Sequence, residues 1–388
     1  MQTTTGSFSS RQVDRAVGVL LGGAAGDALG VPYEFGSRRL DPPARMLGGG
    51  LGEYAPGQWS DDTEMAMAVA RVTATGADLR SPEALDDVAR GFLEWHAGGP
   101  ADIGIQTRRI LGGASRTHTD ERPAALLGRL AAELHEQTGR TAGNGSLMRT
   151  GPVALAHLGD ADAIDEAARG VSALTHHDPE AGEACVLWCL AVDHAVRTGE
   201  LDVRVGLSRV GAAWAARLNE AEQVGPSHYA SSNGWVVAAL QGAWSAVSRA
   251  TSLEHGLQRA VAGGGDTDTV AAVAGTLLGA RFGGSTVPAR YRRLLHGWPG
   301  LRARDVVALA VLTLRGGQPD PEGWPTGASL ESYAGASAAL VPHPDDDGVL
   351  LGAVGALRPG VADAVVSLCR LGTGQVPLRG VASEDHVE

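Results

Sequence analysis

Asp61 and Asp62 stand side by side in the stretch WSDDTEMAMAV, between the hydroxyls of Ser60 and Thr63 and directly before an apolar, helix-prone run. A helix start needs a side-chain acceptor for its free N–H groups, and acids in the first turn are favoured by the positive end of the helix dipole. Capping by Ser60 with two acids behind it accounts for this stretch taken alone. A second stretch of the same make-up changes the reading. In GGGDTDTVAAVAG, Asp266 and Asp268 flank Thr267, Thr269 follows, and a run of small apolar residues comes next. Carboxylate and hydroxyl oxygens, without cysteine or a histidine cluster, are hard ligands that suit Mg²⁺, Mn²⁺ or Ca²⁺ and argue against zinc. The four carboxylates, if brought together across a bundle, would repel strongly in a low-dielectric cleft. A pair of divalent cations neutralises them, and explains the clustering at two helix starts more easily than capping does.

Four further stretches carry weaker signals. In GGAAGDALGVPYE a Gly-rich run lets backbones approach closely, Pro32 fixes the turn, and Glu34 faces whatever the loop lines; a plain helix end is the competing reading. In RTAGNGSLMRTGPVAL, Gly143-Asn144-Gly145 before a helix has the make-up of an anion nest able to take a diphosphate, or of an ordinary turn. LTHHDPEAG opens a helix with His176 and His177, as solvated or capping residues or with His176 on a ligand. The His177-Asp178 doublet also suits a helical metal phosphohydrolase, a class that needs an upstream histidine not evident here. PADIGIQTRRI places Asp102 at a helix start, where capping is the simplest reading.

The elements that must position these groups read almost throughout at helical period. Segments such as RQVDRAVGVLLGGAAGDALG, SPEALDDVARGFLEWHAGG and DPEAGEACVLWCLAVDHAVRTGE predict an all-α domain of a dozen or so helices, with no clear strand before about residue 316. With 55 glycines and 4% aromatic residues in 388, the chain suits closely packed helices joined by Gly-rich loops rather than a β-sandwich. A net charge of −12 counts against non-specific nucleic-acid binding. No apolar run reads as long enough to cross a bilayer, and the start shows no secretory pattern. Three cysteines give no disulfide framework; Cys185 and Cys189, one helical turn apart, read as buried thiols and point to the cytoplasm. From Gly316 the texture turns rich in Pro and Gly and reads as a linker. VPHPDDDG reads as an acidic turn, and ADAVVSLCRLG as a short buried strand built on Val365, Val366 and Leu368. Every candidate site residue precedes Thr276, so residues 316–388 are expected to add no ligand.

Taken in order, GDALGVPYE, WSDDTEMA, ADIGIQT, GNGSLMR, THHDPEA and GGGDTDTVAAVAG resemble the ADP-ribosylglycohydrolase family over residues 12–315. The resemblance implies a compact orthogonal all-α domain with two Mg²⁺ or Mn²⁺ ions. It implies that Ser60, Asp61 and Asp62 hold one ion, that Asp266 and Thr269 hold the other, and that Asp268 bridges them. Glu34 matches a mobile glutamate proposed as gate or acid–base group, and Asp102 an acid near the scissile ribose. Thr141 and the loop of Gly143, Asn144, Gly145 and Ser146 would cradle the diphosphate. His176 would bond the distal ribose or a phosphate, and Asn233–Val237 would close over the adenosine. Ser60 stands where the family mostly has Thr, which keeps the hydroxyl. Ala142 replaces an aromatic before the loop, leaving Trp235 as the candidate adenine platform. The implied reaction is hydrolysis at C1″ of the distal ribose, releasing ADP-ribose from an ADP-ribosylated protein, nucleic acid or small molecule. The rivals are a dimetal phosphohydrolase acting on a nucleotide and a non-catalytic ADP-ribose-binding module. The tail also resembles the first strand of a phosphatase-like domain, without its phosphate loop.

Overall fold

The computed structural model describes residues 8–319, 339–343, 346–352, 356–358, 360–366 and 386–387. The chain divides into two compact units, one of residues 1–287 and 294–325, the other of residues 288–293 and 326–388. Among the described residues there are fourteen α-helices: α1 (Ser10–Gly30), α2 (Asp61–Thr73), α3 (Pro82–Ala97), α4 (Ile105–Arg116), α5 (Pro123–Thr138), α6 (Gly151–Ala156), α7 (Ala161–Ala173), α8 (Pro179–Thr198), α9 (Ala213–Gln223), α10 (Val236–Val247), α11 (Leu253–Val261), α12 (Thr267–Phe282), α13 (Ala289–Leu294) and α14 (Ala303–Leu314). The all-α expectation holds.

Local chemistry sets many of the boundaries. Ser9 and Gln12 close a capping box on α1. Ser81 caps α3 with Pro82 at its first position, Ser252 caps α11, and Gly139 and Gly199 end α5 and α8 with positive φ. The core between the helices is filled by Trp59, Trp95, Trp188 and Trp214, all fully buried, with Leu, Val and Ala around them. The Trp188 indole N–H still finds acceptors in Val273 O at 3.1 Å and Thr276 Oγ1 at 2.9 Å on α12, as a buried indole must.

The pair α1 and α12 positions the acid residues. Their glycines face each other at backbone contact: a Cβ added at Gly22 would collide with the Gly275 carbonyl, and one added at Gly279 with the Gly18 carbonyl. Gly30 likewise abuts the Asp268 backbone. We expect Gly275→Ala to destabilise the fold by about 1–3 kcal/mol, the cost of overpacking, although alanine favours a helix interior. Urea denaturation measures this, and unchanged or raised stability would show that the contact is not needed.

The close contact also corrects the membrane reading. Ser10–Gly36 is long and apolar enough to span a bilayer by length and composition, with mean hydropathy 1.3, and 94% of its apolar window is buried inside the protein. The small residues serve a helix–helix seam.

Strands are few, yet two precede residue 316. β1 (His296–Gly297) and β2 (Leu301–Arg302) pair antiparallel around Trp298-Pro299-Gly300. At two residues each they carry no readable alternation. They matter to the site, because Trp59 N–H donates to His296 O at 3.1 Å and His296 N–H to Gly57 O at 3.2 Å, which fixes the backbone just ahead of Ser60. In the second unit, the stretch read as an acidic turn lies in a hairpin of β3 (Val341–His343) and β4 (Asp346–Leu351). Its apolar flank, Val349 to Leu351, gives it strand character that the Asp residues mask. Val365 and Val366 form β5 (Val365–Val366), paired parallel with β6 (His386–Val387); the strand is present but not buried as expected, since Val366 is exposed. Leu368 lies outside the described residues, as does most of the linker.

Candidate functional site

The C-terminal end of α1 and the N-termini of α2 and α12 meet at one point, and three buried acids meet with them. Asp27, on the last turn of α1, accepts from Ser60 N–H at 2.9 Å, Ser60 Oγ at 2.8 Å and Thr63 N–H at 3.0 Å. It is therefore Asp27 that caps α2, and the Ser60 side chain makes no cap bond. The Ser60 hydroxyl instead lies 2.8 Å from Asp27 Oδ1, 3.0 Å from Asp62 Oδ2 and 3.4 Å from Asp268 Oδ2. One hydroxyl has one hydrogen, so two of these three oxygens are left facing other oxygens. Asp62 Oδ1 is buried with no hydrogen-bond partner.

Two groups of carboxylates have oxygens within 4.8 Å of one another: Asp27 with Asp62 and Asp268, and Glu34 with Asp266 and Asp268. Asp268 belongs to both. Burial first, then the neighbouring negative charges, push Asp62 and Asp268 well above the ordinary carboxylate range, and Asp61 likewise, with Asp102 its leading neighbour. Burial also raises Asp27 and Asp266. Glu34 is carried to about 9, by burial and then by Asp266, Asp102, Asp61 and Asp27. It sits in a 3₁₀ turn (Val31–Gly36) that Glu34 itself leaves, at ψ 129°, with Phe35 following at φ 45°. The Phe35 N–H donates to Gly265 O at 2.7 Å, tying this turn to the loop before Asp266.

These acids, apart from Asp27, which lies behind the wall at 0% exposure, line a cleft of about 1060 Å³. Its wall includes Glu34, Asp61, Asp62, Asp102, Gly143, Asn144, Gly145, His176, Trp235, Asp266, Asp268 and Thr269. Ser60, Thr141 and Ser146 are buried and are not part of that lining. The Thr141 hydroxyl faces inward to His135 Nδ1 at 2.5 Å, and the Ser146 hydroxyl receives the Cys185 thiol at 3.6 Å. Asp102 does not cap α4, whose N-cap is Gly104; one of its oxygens accepts from its neighbour Ile103 N–H at 2.7 Å. His176 does not open a helix: α8 begins at Pro179, capped by Asp178. Among the described residues the two carboxylate groups contain no histidine, and His177 is exposed, so the His-Asp doublet gains no support as a metal site.

The Gly143 loop runs beside the segment before α10. Asn144 N–H donates to Gly234 O at 3.1 Å and Val236 N–H to Ala142 O at 2.9 Å. The loop is a short 3₁₀ turn (Asn144–Ser146), not the start of a long helix, so the dipole available to an anion is smaller than the sequence suggests. The Asn144 amide is spent on Asn233 O at 2.9 Å and Asp266 Oδ2 at 2.7 Å. It orients an acid of the cluster from the loop side. Trp235 is 41% exposed at the cleft wall. Its indole N–H donates to Glu180 at 3.0 Å, and the Arg217 guanidinium lies 5.6 Å from the ring centroid.

Asp27 escaped the sequence reading. Its signal was the one acid in the Gly/Ala-rich C-terminal third of α1, where an unpaired charge is costly to bury. Gln106 also escaped it; its amide donates to Thr141 O at 3.2 Å and Thr175 O at 2.8 Å while the residue lines the cleft.

Comparison with known proteins gives this geometry its context. The ADP-ribosylglycohydrolase family model matches residues 9–321. An ADP-ribosyl-[dinitrogen reductase] glycohydrolase of Rhodospirillum rubrum is 30% identical over 288 residues, covering 71% of this chain and 88% of that protein. An ADP-ribosylarginine hydrolase of Pseudomonas putida is 31% identical over 283 residues, covering 71% of this chain and 72% of the relative. A solved structure described as an ADP-ribosylglycohydrolase-related protein complex superposes with a TM-score of 0.63 at 30% identity, over 80% of this chain and 100% of that one. With its helical fold, its shared-acid cleft and a family match across most of its length, the chain belongs to the ADP-ribosylglycohydrolase family of hydrolases.

Proposed function

We propose that this hydrolase depends on two divalent cations, Mg²⁺ or Mn²⁺, and cleaves the C1″ glycosidic bond of an ADP-ribosylated substrate to release ADP-ribose. The observation that carries the reading is the pair of carboxylate groups sharing Asp268, which lines the cleft with Asp62, Glu34 and Asp266. The residues fit such ions. Asp62 Oδ1 is a buried acceptor with no donor, the donor set is all oxygen, and carboxylates this crowded are raised toward protonation without a cation. Asp27, Asp62 and Asp268 would hold one, and Glu34, Asp266 and Asp268 the other, with Ser60, Asp61 and Thr269 as the further ligands implied by the family motif. When bound, the ions supply charge neutralisation and Lewis-acid polarisation.

The chain's own residues account for the rest. Asn144 donates to the Asp266 carboxylate and Asn233 accepts from the Asp266 N–H, which ties Asp266 to the Gly143 loop. Free of a cation, Glu34 is raised to about 9, so it can carry the proton for the departing acceptor as the C1″ bond breaks only while it is not holding an ion. Asp102 keeps one carboxylate oxygen without a protein partner among the described residues, which suits it to take the proton of the incoming water. The Trp235 ring offers a flat apolar face for a base.

The test is product analysis on substrates of defined linkage (arginine, serine, a nucleic-acid end, O-acetyl-ADP-ribose) with Mg²⁺ or Mn²⁺. Free ADP-ribose supports the reading. Inorganic phosphate or a mononucleotide would mean a phosphohydrolase, and tight ADP-ribose binding without turnover a binding module.

A further inference from the structure

Behind the Gly143 loop lies a fully buried arginine without a carboxylate partner. Arg149 donates through Nη2 to Val171 O at 3.0 Å and to Thr175 Oγ1 at 2.8 Å, approaches Met65 Sδ at 3.7 Å through Nη1, and lies 4.4 Å from the Phe92 ring centroid. Its Nε has no partner. Thr175 Oγ1 is in turn 2.7 Å from His176 Nδ1, and His176 lines the cleft.

We propose that Arg149 and Thr175 are positioning residues that hold His176 as the Nε2–H tautomer, giving the cleft one fixed hydrogen-bond donor beside the Gly143–Gly145 loop. The argument is one of donor counting. A guanidinium has no acceptor, so Thr175 Oγ1 must accept from Arg149. Its single hydrogen is then free for His176 Nδ1, which must offer a lone pair. Were Nδ1 protonated, a hydroxyl buried at 0% exposure would carry an unpaired hydrogen, a cost of about 1–3 kcal/mol. The proton therefore sits on Nε2.

The ring's surroundings agree. Burial and the nearby Arg149 charge pull His176 down to about 3, so the imidazole is neutral and keeps one proton. Burial lowers Arg149 only to about 10, so it stays cationic at neutral pH. The Gln106 amide pins the Thr175 carbonyl at 2.8 Å, and Thr175 N–H donates to Ser172 O at 3.1 Å, which fixes the residue between the Arg149 guanidinium and the His176 ring. A Cβ at Gly143 would sit 3.2 Å from His176 Nε2, and one at Gly145 3.1 Å from Cε1. The two glycines thus let the loop pass close against the Nε2 edge of the ring, where a side chain would crowd it. Among the described residues Nε2 has no acceptor, so its proton is offered to whatever occupies the cleft. On the ADP-ribosylhydrolase reading, on which this step rests, the matching group is a phosphate or ribose oxygen.

The experiment compares wild type with Thr175→Val, which removes the hydroxyl at constant shape, and Thr175→Ser, which restores it. Nitrogen-15 NMR of the histidine side chains in the full-length, Mg²⁺-loaded protein reads the tautomer, and calorimetry reads ADP-ribose affinity. Wild type and Thr175→Ser should show Nε2–H. Thr175→Val should show a mixture of tautomers, bind ADP-ribose about tenfold more weakly, and raise KM with kcat nearly unchanged, the pattern of a contact made equally in ground and transition states. An Nδ1–H signal in the wild-type protein would overturn the proposal, and needs no variant to fold. So would a Thr175→Val protein with unchanged tautomer and affinity. If the tautomer switches as stated but the wild type neither binds nor releases ADP-ribose, the positioning role stands and the substrate reading fails.

Discussion

Asp268→Asn should cut hydrolysis by at least about 10²–10³-fold, the usual cost of deleting one charge-stabilising group, and leave a folded protein. Asparagine keeps the shape of the side chain, and the Asp268 backbone is set by its contact with Gly30. What the change removes is the carboxylate common to both acid groups, so both proposed cation sites would lose a ligand at once. A second sign distinguishes this from damage to the fold. Asp268 is raised by burial and by Asp62, Glu34, Asp266 and Asp27, so in chelator its ionised form destabilises the native state. The metal-free variant should therefore melt above metal-free wild type, whereas in Mg²⁺ the order should reverse. Turnover near wild-type level, or a variant less stable in both conditions, would show that Asp268 is structural.

Chelation should lower the melting temperature of the wild-type enzyme, and the loss should grow with pH. Glu34 is raised from an ordinary 4.5 to about 9, so between those values the folded, metal-free protein holds a proton that the unfolded chain has released. Stability then falls as pH rises through that window, by at most about 1.4 kcal/mol per pH unit for each group that behaves this way. The buried aspartates of the cluster, also raised, add to the same sign. Mg²⁺ competes with those protons, so in its presence the slope should flatten or invert, and added ADP-ribose should raise stability further. Urea titrations at pH 5, 7 and 9, with chelator and with Mg²⁺, read this directly. A chelated protein whose stability is level from pH 5 to 9 would count against a crowded, cation-dependent acid cluster.

The sequence showed the acids of α2 and α12 because each pair sits in one local pattern, a hydroxyl–acid run before small apolar residues. It did not show Asp27, which reaches Ser60 across 33 residues and takes over the capping of a helix that supplies its own serine. Side-chain direction was equally hidden. Thr141 and Ser146 flank a loop that faces the cleft, yet their hydroxyls turn inward to His135 and to Cys185. Nothing local distinguishes them from Asn144, which does line the cleft while its amide is committed to Asp266. The segment beginning at Asp178 matches α8, which Asp178 caps and Pro179 starts, whereas His176 and His177, read as opening a helix, lie just ahead of it. The helices themselves were legible because apolar period and Gly, Pro and Ser boundaries agreed along most of the first unit; β1 and β2, at two residues each, left no period to read.

The glycine seam between α1 and α12 also sets a schedule for folding. Thr267 and Gly30, which share a hydrogen bond at 2.9 Å, are 237 residues apart. At a synthesis rate of about 5–20 residues per second, α1 leaves the ribosome roughly 12–50 s before its partner exists. During that interval a helix with the composition of a membrane span has no groove to fill. Asp27, which it carries to the acid cluster, can be brought into register with Asp268 only at the end, so assembly of the site is a late, long-range step. Contacts of that separation slow folding, and until α12 emerges the apolar surface of α1 lacks its principal cover.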